Sequence, residues 1–452
     1  MNEIISLSAV ELAQKLRGAE LSATEVLAAF RAQTEKRNGE VNAFVTFDWD
    51  RAELRAAELD VLAVTGTYAG PLHGVPIAIK DCFETKGLRT TWGSKSFEDF
   101  VPDYDVLHVE RLREAGAVIV GKTNTPEFTF SGQTTNAVVG VTRNPHDLRK
   151  TVAGSSGGAA AALAAKMVPL ADGSDLGGST RTPAAWCGIV GFRPTSGLVP
   201  YHPNPASFDG LSVPGPMARS VQDLTLMLSV MQGNTTLQPL GYWNELPSLE
   251  TLETPLDPGR IAMSFAPFGA NVEASIISAL SPITQLCREL GWDVDEDTAP
   301  KLDPLMAFGD VIRGQCALQV RAALNPDMEL ANDSFKSACA SGEAQTLNDL
   351  ALYQAQRSRV WNDVMDFFST YDFALWPTTT GLAFDADLKD HELPEDWRTV
   401  TLTPTLELPS ITIPFGTSSD GLPVGLHITG PKGSDAKLLR FARMIERANS
   451  GT

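Results

Sequence analysis

From Gly157 to Lys166 the chain reads GGAAAALAAK, and apart from Leu163 and the terminal Lys166 no side chain in it exceeds a methyl group. Alanine is the best helix former, and a helix this bare lets neighbouring elements approach its backbone closely. The segment therefore predicts a closely packed, buried helix, which requires a larger structure around it. A strand-like VPLADGSD (168–175) follows, then the small-residue run GGS (177–179), then a short helix from Arg181 to Cys187.

The same alternation continues along the chain. Met1 to Phe30 reads as an amphipathic helical region broken at Gly18 and Ser22, and residues 22–38 as a helix with Ser22 and Glu25 at capping-box spacing. GVPIAIK (74–80) is a short apolar run, a buried strand that ends by presenting Lys80. Residues 106–114 suit a helix, 117–120 a strand and 121–125 a turn. In the second half RIAMSF (260–265), WDVDE (292–296) and FALWP (373–377) read as strands, with helices near 272–290, 304–323, 347–368 and 435–448. ITIPF (411–415) and VGLHIT (424–429) flank Asp420-Gly421, which marks a hairpin bend. Helix and strand in alternation predict an α/β fold whose sheet is covered by helices on both faces.

Charge narrows the function. Lys and Arg number 36 against 55 Asp and Glu, so a net charge of −19 works against nucleic-acid and anionic-membrane partners. No run approaches the ~20 apolar residues of a membrane span, and the N-terminus carries Glu3, Glu11, Lys15 and Arg17 instead of an apolar leader. Cys82, Cys187, Cys287, Cys316 and Cys339 are scattered, with no CxxC pair. Neither a disulfide framework nor a zinc site is indicated; buried free thiols in a reducing cytoplasm are the expectation.

Two Gly/Ser clusters, GSSGG (154–158) and GGS (177–179), bracket the alanine helix and its strand, with Ser155 and Ser179 24 residues apart. Glycine permits backbone angles that aim consecutive N–H groups inward, and such a nest is what an oxyanion requires; the clusters also read simply as turns. The string GSSGGAAAALAAKMVPLADGSDLGGSTRTPAAWCGIVGFRPT resembles the signature of the amidase signature family. GVPIAIKD (74–81), GKTNTPEF (121–128), NAVVGVTRNP (136–145), GPMARSVQDL (215–224) and LPVGLHITGP (422–431) match in order, densely over about residues 5–232 and loosely beyond. The resemblance implies one α/β/α sandwich over 1–452 with a mixed, twisted central sheet. Its signature core would span about 70–232, with variable specificity insertions at about 234–258 and 300–404.

Carried over residue by residue, the resemblance makes Ser179 the nucleophile, Ser155 a bridging serine after a cis Gly154–Ser155 bond, and Lys80 the base. The N–H groups of Leu176, Gly177, Gly178 and Ser179 would form the oxyanion hole, Ser131 would stand near the substrate, and Asp175 and Arg181 would be scaffolding. The reaction implied is hydrolysis of a linear carboxylic amide through an acyl-enzyme, with no metal or organic cofactor. The physics is demanding, because a serine attacks only when a base takes its proton, and a lysine is a base only when neutral. Keeping a lysine neutral at pH 7 costs about 4.6 kcal/mol in water. Burial lowers a lysine pKa by up to about 3 to 5, enough to cover that, whereas a salt bridge to Asp81 or Glu84 would instead fix Lys80 as a cation.

GSSGG also fits the G-x-S-x-G elbow of an α/β-hydrolase-like esterase, with Ser156 as nucleophile and a histidine such as His202, His391 or His427 downstream. A glutamine-hydrolysing amidotransferase A-type subunit, working in a complex, is a further alternative, although residues 300–330 do not resemble the recognition segment of those subunits. Phe128, Phe130, Trp186, Trp376, Phe384 and Trp397 are candidates for an apolar substrate pocket, although aromatics of this kind are more often core. The expected partner is a small-molecule amide, with a homodimer as the default assembly.

Overall fold

The computed structural model describes residues 3–204, 206–241, 246–389, 392–394 and 397–451; His391 and short stretches of both proposed insertions lie outside them. The strands of the main sheet, in chain order, are β1 (Phe44–Phe47), β2 (Pro76–Lys80), β3 (Val118–Thr123), β4 (Leu170–Asp175), β5 (Val190–Arg193), β6 (Val213–Ala218), β7 (Arg260–Met263), β8 (Asp293–Asp295), β9 (Phe373–Pro377), β10 (Ser410–Thr417) and β11 (Pro423–Thr429). They form one 11-stranded sheet in the order β1-β3-β2-β4-β6-β5-β10-β11-β9-β7-β8. β2 runs parallel to both β3 and β4, and β7 runs parallel to β8 and β9. The other neighbours are antiparallel, so the sheet is mixed, as expected.

Every residue of β2, β4, β6, β9 and β11 is buried. A strand hidden along its whole length must be covered on both faces, which is the α/β arrangement read from the alternation. The alanine helix, Gly157–Ala164, packs across β2, β3, β4 and β6, and Gly157 through Leu163 are all buried. A Cβ at Gly158 would stand 2.3 Å from Asn124 N and 2.6 Å from Ala43 O, so backbone meets backbone there.

Local signals place most elements closely. Ser22 Oγ accepts from Glu25 N at 3.1 Å while Ser22 N donates to Glu25 Oε2 at 2.9 Å, closing the capping box of helix Ala23–Val41. The hairpin pairs Ile411 with Ile428 and Ile413 with Leu426, and Gly421 at its bend has φ +77°. All five cysteines are free and buried.

The structure also corrects the reading. The turn expected at 121–125 begins later, because β3 continues through Thr123 alongside Lys80 of β2. The helix expected at 272–290 is two, Ala274–Leu280 and Pro282–Glu289, divided where Pro282 has no N–H to donate. A helix at Asp333–Ala344 was not anticipated; it packs on Gly309–Leu324, where a Cβ at Gly314 would lie 2.6 Å from Gly342 Cα. Nor was β6, since VPGPMA carries two prolines. It pairs with β4 along its full length but with β5 only at Met217 and Ala218, beyond both prolines. No helix among the described residues is long and apolar enough to cross a membrane.

Gly158→Ala forces a methyl group into main-chain atoms that cannot move independently. It is expected to destabilise the protein by about 1–3 kcal/mol, read as a lowered urea midpoint at unchanged slope. An unaltered midpoint would remove the close-packing account of the alanine helix.

Candidate active site

Lys80 ends β2, and Asp172, Ser174 and Asp175 lie in β4. Because the two strands are parallel, their carboxyl ends open at the same edge of the sheet, where α/β folds collect ligands. The second Gly/Ser cluster follows β4 directly. The first precedes the alanine helix, and Ser156 N donates to Ser179 O at 3.1 Å, binding the two clusters together.

The Lys80 side chain is fully buried, and its Nζ lies 2.7 Å from Ser155 Oγ, 2.9 Å from Ser156 Oγ and 2.8 Å from Ser174 Oγ. It forms no ion pair among the described residues. Asp81 is turned to Thr91 and Glu84 to Tyr104, so the salt bridge considered above is not formed. Burial pulls the Lys80 pKa down to about 8, against the opposing pull of Cys82, Asp172 and Asp175. Keeping the amine neutral at pH 7 thus costs about 1 kcal/mol in place of the 4.6 in water. The main chain is held as well, since Lys80 N donates to Asp172 Oδ1 at 2.6 Å, and Asp172 Oδ2 is 3.1 Å from His108 Nε2.

Counting protons distinguishes the three serines. An ammonium has three N–H donors, whereas a neutral amine has two and a lone pair. Ser156 Oγ donates to Ser174 O at 3.3 Å and accepts from Ser174 N at 3.3 Å, so its proton is directed away from Lys80. Ser155 has no other side-chain partner among the described residues and is free to donate to the lone pair of a neutral Lys80. The peptide between Gly154 and Ser155 is cis. Ser179 is partly exposed, and its hydroxyl has no hydrogen-bond partner among the described residues.

Asp175 organises the loop that carries Ser179. Its carboxylate accepts from Gly178 N at 2.9 Å, Thr180 N at 3.1 Å, Thr180 Oγ1 at 2.9 Å, and Arg181 Nε and Nη2 at 3.0 and 2.9 Å. Burial pushes this carboxyl up, but the Arg181 guanidinium beside it outweighs that and holds it well below the usual carboxylate range. The structure corrects one expectation here: the Gly178 N–H is already committed to Asp175 and is not available to an oxyanion. The N–H groups of Leu176, Gly177 and Ser179 donate to no protein acceptor among the described residues. Gly178 itself has φ +102°, and a Cβ there would lie 2.4 Å from Val400 Cγ2, so conformation and space both demand glycine.

Ser131 lies beside the cis peptide: a Cβ at Gly154 would stand 3.0 Å from Ser131 O, and Ser131 Oγ accepts from Gln133 N at 3.0 Å. Of the six aromatic candidates, Phe128 and Phe130 line a partly open pocket that also meets Leu176, Val213, Leu324 and Ser174. The other four are packing. Trp186 and Trp397 stack with centroids 4.6 Å apart, Phe384 sits edge-on to both, and Trp376 lies against Phe268 and His427. Lys122 of the GKT string is likewise structural, donating to Phe83 O and to the Thr85 and Thr90 hydroxyls. Ser174 and Asp172 were missed as partners of Lys80; two polar residues on one face of a strand otherwise read as buried were the available signal.

A buried lysine, three serines and a row of amides without protein acceptors among the described residues thus meet at the carboxyl edge of a mixed sheet. The model of the Amidase family matches residues 25–439. The chain is 34% identical over 457 residues to the A-type subunit of glutamyl-tRNA(Gln) amidotransferase from Alkaliphilus metalliredigens, covering 94% of this chain and 92% of that protein. It is also 34% identical over 454 residues to the acylamidase of Rhodococcus erythropolis, covering 97% and 95%. The crystal structure of a bacterial aryl acylamidase belonging to the amidase signature enzymes superposes with a TM-score of 0.91 at 26% identity, over 98% of this chain and 96% of that one. The chain belongs to the amidase signature family of hydrolases.

Replacing Asp175 by Asn leaves Arg181 buried without its counter-charge. A loss of about 3–5 kcal/mol in unfolding free energy is expected from chemical denaturation. A variant as stable as the parent would show that the loop is held by other contacts.

Proposed function

We propose that the protein hydrolyses a linear carboxylic amide through an acyl-enzyme on Ser179, with Ser155 as proton relay and Lys80 as base. The observation that carries this reading is the buried Lys80 amine, free of carboxylates, with Ser155 Oγ at 2.7 Å. Ser179 Oγ attacks the amide carbon while its proton passes to Ser155, whose own proton passes to Lys80 Nζ. The developing oxyanion is received by the amides of Leu176, Gly177 and Ser179, and each such donor is worth about 2.7–4 kcal/mol in the transition state. As the C–N bond breaks, the proton returns along the same path to the leaving nitrogen. Water then attacks the ester carbon and frees Ser179, the relay again taking a proton. Ser131, on the turn against Gly154, belongs to the substrate-facing wall in this reading.

The elbow alternative fares worse on physical grounds. Ser156 is fully buried, its proton is engaged with Ser174 O, and no described histidine is hydrogen-bonded to it. The amidotransferase alternative is favoured by one observation, the amidotransferase relatives that match as well as the acylamidase does. Ammonia release from glutamine that requires a copurifying partner would select it over the free amidase.

Ser179→Ala and Lys80→Ala are each expected to reduce amide turnover by a factor of about 10³ or more, with circular dichroism unchanged. A fluorophosphonate adduct should map by mass spectrometry to Ser179, and an adduct on Ser156 would transfer the role to the elbow. The amine must be neutral to act, so activity belongs to the deprotonated form. kcat/KM should rise with pH through an apparent pKa of about 8, with only about one-tenth of the enzyme competent at pH 7. A profile flat from pH 6 to 9 would exclude the lysine base.

A further inference from the structure

Arg398 is half-buried, yet its guanidinium has no hydrogen bond or ion pair among the described residues; it only stacks over the neighbouring Trp397 ring at 5.0 Å. Its main chain is fixed, since Thr380 N donates to Trp397 O at 3.0 Å and Thr379 bridges to Arg398. The side chain lies against the Ser131–Gln133 turn, where a Cβ at Gly132 would stand 2.9 Å from Trp397 Cζ2 and 3.6 Å from Arg398 Nη1. That same turn abuts Gly154, and Val400, two residues on, closes over Gly178. Arg398 therefore lies in the segment that covers both catalytic loops.

A second guanidinium approaches from helix Gly309–Leu324. Arg313 donates to Ser334 Oγ at 2.7 Å and to the carbonyls of Phe130 and Ser334 at 3.4 Å, and meets no carboxylate among the described residues. Burial, then the like charge of Arg313, lowers the Arg398 pKa to about 10. Asp175 opposes this from a distance, but its oxygens are occupied by Arg181, Thr180 and Gly178. In a chain with 55 acids to 36 bases, the half-buried Arg398 and the exposed Arg313 beside it thus meet no carboxylate among the described residues, although each carries a charge it cannot shed.

We propose that Arg398, with Arg313 beside it, binds a carboxylate carried by the substrate, so that the preferred amides are anionic. The inference rests on the Ser179 reading above and specifies its substrate class. A guanidinium presents a planar fork that matches the two carboxylate oxygens, and the cavity lined by Phe128, Phe130 and Leu176 remains for an apolar part of the same molecule. Arg398 is a specificity residue here and takes no part in the proton relay.

The test uses matched amide pairs: N-benzoylglycine against N-ethylbenzamide, with the carboxylate on the amine side, and glutaric acid monoanilide against pentananilide, with it on the acyl side. In at least one pair the wild type should favour the anion by tenfold or more in kcat/KM. Arg398→Gln should cut that ratio by about tenfold to a hundredfold, mainly through KM, and Arg398→Lys should retain part of it. Equal or better turnover of both neutral partners, or a ratio that survives Arg398→Gln at unchanged thermal midpoint, overturns the proposal. If none of the four is hydrolysed, protection of Ser179 from a fluorophosphonate by N-benzoylglycine or glutaric acid monoanilide gives the answer. Protection that weakens at least tenfold in Arg398→Gln supports the site; none, or equal protection in both proteins, overturns it alone. The absence of any Ser179 adduct overturns the Ser179 reading and this inference with it.

Discussion

An amine shut away from bulk solvent, with no ion-pair partner among the described residues, is the constraint around which the rest of this structure is arranged. Lys80 is sunk at the end of a central strand and surrounded by three hydroxyls in place of carboxylates. Hydroxyls suit either protonation state, because each can accept from an ammonium or donate to a lone pair. A carboxylate at the same distance would hold the proton permanently. Burial therefore outweighs the opposing pull of Cys82, Asp172 and Asp175 on the amine. Both Asp172 oxygens have other partners, Oδ1 accepting from the Lys80 main-chain N–H and Oδ2 facing His108 Nε2. The sheet contributes by making β2 and β4 parallel, which delivers lysine and serines to one edge.

Around that amine two loops must meet, and each is held by a different device. The Ser155–Ser156 segment is fastened to Ser179 through a single main-chain hydrogen bond and to the alanine helix behind it. The Ser179 loop is wound on Asp175, whose five contacts leave the amides of Leu176, Gly177 and Ser179 without acceptors among the described residues. Withholding partners from those amides costs stability, and the buried Asp175–Arg181 pair is what holds the loop in that shape.

Much of this was legible in the chain itself. GVPIAIK announced a buried strand ending in a lysine, and GGAAAALAAK a closely packed, buried helix. What escaped notice depends on three-dimensional packing. Ser174 became a partner of Lys80 only through the register of β4 beside β2, and the Gly178 N–H expected to face an oxyanion turns instead to Asp175. β6 was hidden by prolines that a central strand tolerates here because the ladder to β5 forms only past them. Arg398 and Arg313 stand in stretches without a motif, and only the fold brings them to the same turn.

The segment from Trp397 to Val400 meets the Ser131–Gln133 turn and the Ser179 loop through contacts against glycines, at Gly132 and Gly178. It arrives from far along the chain, well outside the signature. On the reading proposed here, chemistry and recognition are written in separate stretches of sequence and joined by shape. In such an arrangement a change in the cover would alter which molecules fit while leaving Lys80 and its three hydroxyls untouched.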